Sequence, residues 1–418
     1  MIQLRNAPKT VALADPRWYG HHPTYFKEFT ASLLRLGHRV IALCREPGEL
    51  EPAARASCDE LGLDPLEVLH IAPLDDPDRV YLFPGHFDHD PPSTVARWRC
   101  LRRALEAAEA ASEWHADFVF LPWLDSYLRF QPSKILPSLI LDRPWGGLYF
   151  RNHHFGETGG IVRSFAKGDR GLRNRNCRAI GVLDERFSPA MEAASGRPVI
   201  AFPDITDETK PSEQGALAQE ILKRAAGRKV IGMVGLEKRK GFLTMLRIAE
   251  TVADKEDWFF VAAGVYCPET CTAEERKFAE SVERRTNVTG ELDNLHFAIP
   301  GERVQDGAEF NSLLASVDVI YAAYENFQGS SNALTKAAVL HRPLIATRGE
   351  CVGNRVEEFG LGLTIPQGDT AAGEEAIRRV LSGTDWDGEK LRPRYGDYHA
   401  QHDRARLDSV FEEILATV

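Results

Sequence analysis

The sequence predicts an α/β protein of two domains, each a parallel sheet covered on both faces by helices. Three observations carry that expectation. The chain has 418 residues, too many for one ordinary core and enough for two of average size. Apolar runs of strand length alternate with stretches of helical periodicity, the βαβ pattern of parallel sheets. That alternation occurs in two series, separated by a polar stretch at residues 204–215.

The first series opens with a strand at 10–15, followed by a turn at 16–20. A helix then places Phe26, Phe29, Leu33 and Leu34 at apolar spacing, and Gly37 ends it. Residues 39–43 read as the next strand, with further buried strands expected at 118–121, 179–183 and 199–202. The clearest intervening helix spans 95–112. The second series has strands at 229–235, 258–263, 317–321 and 343–346, with helices at 241–253 and 332–340. Residues 404–418 form an amphipathic helix through Leu407, Val410, Phe411, Ile414 and Leu415. The expected domains are therefore 1–204 and 205–390, with 391–418 as a helical segment packed on the body.

Composition narrows the function classes. Hydrophobic residues make up 43% and charged residues 27%, the profile of a soluble globular chain. No apolar run approaches the roughly 20 residues of a membrane-spanning helix. The N-terminus carries no apolar signal core, so cytoplasmic residence is expected. No strongly basic amphipathic helix stands near it, so stable membrane attachment is not expected either. A net charge of −10, with acids dispersed along the chain, argues against nucleic-acid binding. The seven cysteines are scattered and odd in number, which suggests no disulfide framework. Cys267 and Cys271 lack a second pair or nearby histidine for a zinc site. His86, Asp88, His89 and Asp90 have metal-ligating side chains, but their short proline-flanked loop disfavours convergence.

Two segments carry the chemistry. The strand ending at Gly235 leads through Lys238, Arg239 and Lys240 to Gly241 and a helix. Glycine permits a close turn, helix-start amides attract anions, and three cations can hold a diphosphate. A solvated basic turn is the other reading, and spacing leaves both open. The second segment is Tyr324-Glu325-Asn326-Phe327-Gln328-Gly329-Ser330-Ser331-Asn332, where a carboxylate precedes a turn that opens a helix. Its amides and hydroxyls can face sugar or phosphate oxygens, or Ser330 or Ser331 can simply cap the helix.

Together these segments resemble the C-terminal half of retaining glycosyltransferases of the GT-B type (family 4-like, group 1), over about residues 230–369. Gly20-His21-His22 and residues 37–40 are similar to the family's first glycine loop and strands, more weakly. The resemblance implies two doubly wound Rossmann-like domains facing across a cleft and transfer of a sugar from a nucleotide-diphosphate donor, without metal or cofactor. It implies that Lys240, aided by Lys238 or Arg239, contacts the diphosphate. Glu325 would orient the sugar, and Gly235, Gly329, Ser330 and Ser331 would line it. The family's second glutamate, which holds the nucleotide ribose, is replaced by Lys336. A lysine donates but does not accept, so ribose recognition must differ. Lys336 would pair with a carboxylate, read an extra phosphate, or mark a lost donor site.

The acceptor, a carbohydrate or small molecule, is expected on the N-terminal side. Gly20, His21 and His22 follow the first strand, and Asp125 follows the strand at 118–121 and can accept from an acceptor hydroxyl. Arg151, His153 and His154 follow the aromatic stretch 145–150, a candidate acceptor platform. Helix capping and loop packing remain the alternatives for each. A catalytically silent binding or assembly protein, an epimerase and a phosphorylase stay open as rival functions.

Overall fold

The computed structural model describes residues 7–76, 94–128, 133–156, 169–209, 214–298 and 307–418. It divides into two compact units. Unit 1 comprises the chain up to Ile205 together with His402–Val418, and unit 2 is Thr206–Gln401.

Unit 1 holds seven parallel strands: β1 (Thr10–Asp15), β2 (Arg39–Cys44), β3 (Leu69–Pro73), β4 (Phe118–Leu121), β5 (Trp145–Tyr149), β6 (Cys177–Val182) and β7 (Val199–Ala201). Their order is β3-β2-β1-β4-β5-β6-β7. The central strands are buried throughout because helices cover both faces, which is why they read as continuous apolar runs. Alternation along β1 feeds both layers: Val11 and Leu13 join one core, Ala12 and Ala14 the other.

Unit 2 repeats the plan with β8 (Lys229–Leu236), β9 (Trp258–Tyr266), β10 (Leu295–Ala298), β11 (Val319–Ala322), β12 (Leu344–Thr347) and β13 (Gly362–Ile365). Their order is β10-β9-β8-β11-β12-β13, again all parallel. In each unit the chain winds outward from its first strand, then returns to that strand's other side. The crevices beyond the carboxyl ends of β1 and β4, and of β8 and β11, are thus the topological switch points, where such sheets bind ligands.

Four strands escaped the sequence reading: β3, β5, β10 and β13. Three have only four or five mixed residues, too few for a period to register. β5 contains Gly146 and Gly147, residues depleted from strands. The aromatic stretch expected as an acceptor platform is this strand, with Trp145 and Tyr149 fully buried.

The expected terminal segment is divided between the units. The helix Tyr395–Ala400 stays with unit 2, where Tyr398 is buried. The helix Arg404–Leu415 packs on unit 1, with the Phe411 ring 5.4 Å from Phe29, 5.1 Å from Phe120 and 5.7 Å from Phe202. Asp408 pairs with Arg35 at 2.8 Å. Burying the five apolar side chains of this helix is worth on the order of 10 kcal/mol before ordering entropy is charged against it.

Among the described residues no helix is long and apolar enough to cross a membrane. Among them, too, no three His, Cys, Asp or Glu side chains converge to hold a metal. The loop with His86 and His89 lies outside the described residues. All seven cysteines are free, and burial pushes the Cys44 and Cys177 thiols up to about 12.

Candidate functional site

The loops that meet at the switch point of unit 2 are bonded to each other. The Glu325 N–H donates to the Arg239 carbonyl at 2.7 Å. Gly241 permits this approach: its φ is +79°, and a Cβ there would stand 2.2 Å from the Ala323 carbonyl oxygen. β8 is irregular near its end, its register shifting between Val234 and Leu236. Gly235 lies at that irregularity with φ +85°. The Lys240 ammonium folds back over it and donates to the Val234 carbonyl at 3.2 Å, where a Cβ on Gly235 would come within 2.4 Å.

The helix Phe242–Val252 starts directly after Gly241, and no side chain caps it. Its first amides lack intrahelical acceptors, so the turn presents positive potential beside Lys240. The half-buried Glu325 stands over the same turn, its Oε1 accepting from the Thr244 hydroxyl at 2.9 Å. An anion-attracting turn and an oriented carboxylate thus share one crevice. Next to it, the loops after β11 and β12 enclose a cavity of about 450 Å³ lined by Tyr324, Asn326, Phe327, Gln328, Arg348 and Gln367.

The remaining residues expected to bind the donor have other work. Lys238 pairs with Glu275 at 2.7 Å. That bond raises the lysine's pKa and holds the Glu275 carboxyl below the usual range. Glu275 also closes the capping box with Thr272 at the start of the helix Ala273–Asn287, so Lys238 fastens a helix. Arg239 is exposed, pairs with Glu237 at 2.7 Å and lies over the Phe327 ring. Ser330 accepts from the Arg355 guanidinium at 2.8 Å. Ser331 accepts the Ala333 N–H and bonds the Tyr324 hydroxyl, while the N-cap position of the helix Ala333–Leu340 belongs to Asn332. Gly329 has ordinary contacts, and nothing around it demands a glycine.

Lys336 requires a correction. It is 1% exposed, and its ammonium donates to the Asp207 carbonyl at 2.8 Å and to Asn311 Oδ1 at 2.6 Å. A lysine buried with its donors spent on its own unit pins the segment at 207 to the helix Ala308–Ala315 and does not present its charge to a phosphate.

In unit 1 the loop after β1 turns at Gly20, φ +62°, and His21 is exposed ahead of the helix His22–Arg35. His22 is buried, and its Nδ1 lies 2.6 Å from Asp15 Oδ2, itself on a residue only 1% exposed. The carboxylate selects the tautomer with its proton on Nδ1 and leaves Nε2 as an acceptor. Trp123, in the loop after β4, stacks on both His22 and Phe150 at 3.9 Å.

Asp125 is 8% exposed, and its oxygens accept the Phe150 and Arg151 amides at 2.8 and 3.2 Å. Burial raises its pKa, offset in part by Arg151 and those amides. It fastens the loop after β5 to the loop after β4, in place of the hydroxyl contact expected of it. His154 is also buried, its Nδ1 donating to the Arg151 carbonyl at 2.7 Å, so it shapes the turn Asn152–Gly156. His153 lies in that turn, and Arg151 is exposed at its start. Sequence reasoning missed Asp15 and Thr244. An acid closing the first strand of a doubly wound sheet was the available signal for Asp15, whereas Thr244 looks like any helix residue.

Comparison with known proteins follows this geometry. Residues 228–383 match the family described as glycosyl transferases group 1. No curated protein sequence matches the chain. Among solved structures it is similar to sucrose-phosphate synthase from Thermosynechococcus elongatus, at TM-score 0.60 and 15% identity, covering 98% of this chain and 100% of that one. HepE of Anabaena, solved in complex with UDP, gives TM-score 0.63 and 12% identity over 98% and 100% of the two chains. A UDP-forming α,α-trehalose-phosphate synthase from Burkholderia xenovorans gives 0.61 and 11% over 98% and 99%. At such identities the likeness is one of fold, two Rossmann-like sheets of the GT-B type.

Proposed function

We propose, on the premise that residues 228–383 form a domain of the glycosyl transferases group 1 family, that this protein transfers a sugar from a nucleoside diphosphate sugar to a hydroxyl acceptor. The observation that carries the reading is the crevice after β8. There the Lys240 ammonium and an uncapped helix start stand together, and Glu325 is tied across by its bond to Arg239. A diphosphate leaving group gains negative charge as the bond to the anomeric carbon breaks, and fixed positive groups lower that barrier. Lys240 and the first amides of Phe242–Val252 would hold the diphosphate. Glu325, oriented by Thr244, would accept from sugar hydroxyls. Because those groups supply the positive charge, the reaction is proposed to need no metal. HepE was also solved with UDP-glucose and another similar protein is UDP-forming, which makes uridine donors the first to test.

The acceptor is assigned to the loops of unit 1. The family resemblance supports retention of anomeric configuration, with the departing phosphate taking the acceptor's proton. One observation favours a second course. His22, held by Asp15 at 2.6 Å, has the arrangement of a general base. If Nε2 takes the acceptor proton while the oxygen displaces the diphosphate in one step, configuration inverts. The anomeric coupling constant of the product, read by NMR, separates the two.

The test is thermal stability against uridine, guanosine and adenosine diphosphate sugars, with Lys240→Ala alongside. A ligand at about 100 times its Kd stabilises by roughly 2.7 kcal/mol. A shift with one donor, lost in Lys240→Ala, and product formation with a hydroxyl acceptor are the expected results. No shift with any donor overturns the proposal, and a shift without product on any acceptor leaves a binding protein.

A further inference from the structure

The opposite edge of unit 1, where β5, β6 and β7 begin, carries a surface unlike the rest of this acidic chain. Lys134 and Ile135 precede the helix Leu136–Ile140, Arg173 and Arg175 lie in the approach to β6, and Arg197 lies just before β7. Together with Leu139 they border one cavity of about 390 Å³. Asn174, buried beneath it, holds the segments together by donating to the Lys134 carbonyl at 2.6 Å and to Ser138 Oγ at 3.2 Å. Arg173 donates to the Ala194 carbonyl at 2.6 Å and Arg197 to the Asn174 carbonyl at 2.9 Å, and none of the four cations forms an ion pair with a described acid, although the chain's net charge is −10. Beside them stand two of the most exposed aliphatic side chains among the described residues, Ile135 at 55% and Leu139 at 73%. They are four residues apart at the ends of one helical turn and so point to one side.

We infer that this edge of unit 1 docks reversibly on an anionic lipid surface. Charge complementarity and the pairing of cations with protruding aliphatics support that occupant. A lipid interface takes apolar side chains into its acyl boundary while basic side chains meet the phosphates of the head groups. The cavity between the arginines is of a size to receive a phosphate-bearing head group. A protein partner fits less well, because a single helical turn offers no long face to a groove. The patch lies at the amino ends of its strands. Docking therefore leaves the loops after β1 and β4, at the carboxyl ends, open to acceptor. The inference does not depend on sugar transfer.

The experiment is flotation of the full chain with vesicles of phosphatidylcholine alone and of phosphatidylcholine mixed with phosphatidylglycerol, over a range of salt. Binding is expected only with the anionic lipid, and it should weaken as salt rises. Arg173→Glu combined with Arg175→Glu should lower partitioning about tenfold or more. Ile135→Ser combined with Leu139→Ser, a solubilising change on exposed positions that leaves folding intact, should lower it while the salt dependence persists. Equal partitioning into both vesicle types, no partitioning by the native chain, or indifference to both double variants overturns the inference. Donor-induced thermal shifts read on the same variants report unit 2 separately, so a failure here is distinguishable from failure of the transferase reading.

Discussion

The loops after β1 and after β8 occupy the same topological place in sheets of the same strand order, yet they are built from opposite materials. After β1 the crevice is packed with rings: His22, Trp123 and Phe150 lie face to face, and the acid Asp15 is sunk beneath the histidine. After β8 it is built of glycine and charge, with Gly235 and Gly241 drawing the backbone close and Lys240 lying across it. Topology thus fixes where a ligand can sit, and the residues after the strand decide its chemistry. One crevice sets a carboxylate-held histidine among rings, the other an ammonium beside glycines and the start of a helix.

Five changes would break or sharpen that contrast, in descending order of effect. If His22 takes the acceptor's proton, His22→Gln slows turnover by about 10²–10⁴-fold and leaves the donor-induced thermal shift unchanged, whereas near-native turnover leaves that proton to the departing phosphate. Asp15→Asn should slow turnover as well, through the wrong tautomer. Loss of donor binding in either would mean that the two crevices do not divide the work as described. Gly241→Ala places a side chain at φ +79° and against the Ala323 carbonyl, so it should cost about 2–4 kcal/mol of unit 2 stability in urea denaturation. A neutral result would show that the two loops approach less closely than the backbone suggests.

The fourth change concerns pH. Burial raises the Asp125 pKa above its ordinary 3.8, so the native state binds more protons than the unfolded chain between those two values. Stability from this group therefore falls as pH rises through that window. Asp125→Asn should remove this slope, and the difference between native and variant should shift against the native chain from pH 3.8 upward. The smallest effect belongs to Glu275→Gln. The half-buried, solvent-reached pair with Lys238 is expected to contribute less than about 1 kcal/mol, and donor affinity should stay unchanged. A marked loss of donor affinity would return Lys238 to the diphosphate.

The sequence made the fold legible where apolar runs were unbroken: β1, β2, β4, β8 and β9 follow from such runs. The strands that escaped, β3, β5, β10 and β13, are short or glycine-bearing, and parallel pairing through neighbours decides them. The candidate site was legible as spacing. Which side chain faces which partner was not. Lys238 and Lys240 look alike in sequence, but one meets a carboxylate on a distant helix and the other a strand-end carbonyl. Lys336 reads as a cation beside the candidate donor loop, and its bonds to Asp207 and Asn311 reveal that it faces inward. Asp15 was hidden as the last letter of a strand.

The helix Arg404–Leu415 completes a unit whose strands were made long before it. A ribosome that has finished β7 must synthesise all of unit 2, roughly ten to forty seconds of work, before that helix emerges. Throughout that interval the rings of Phe29, Phe120 and Phe202 lack their cover, and unit 2 has every residue it needs before they gain it. The half of the protein begun first is therefore finished last, and its uncovered aromatic face is where a nascent-chain chaperone would be expected to bind.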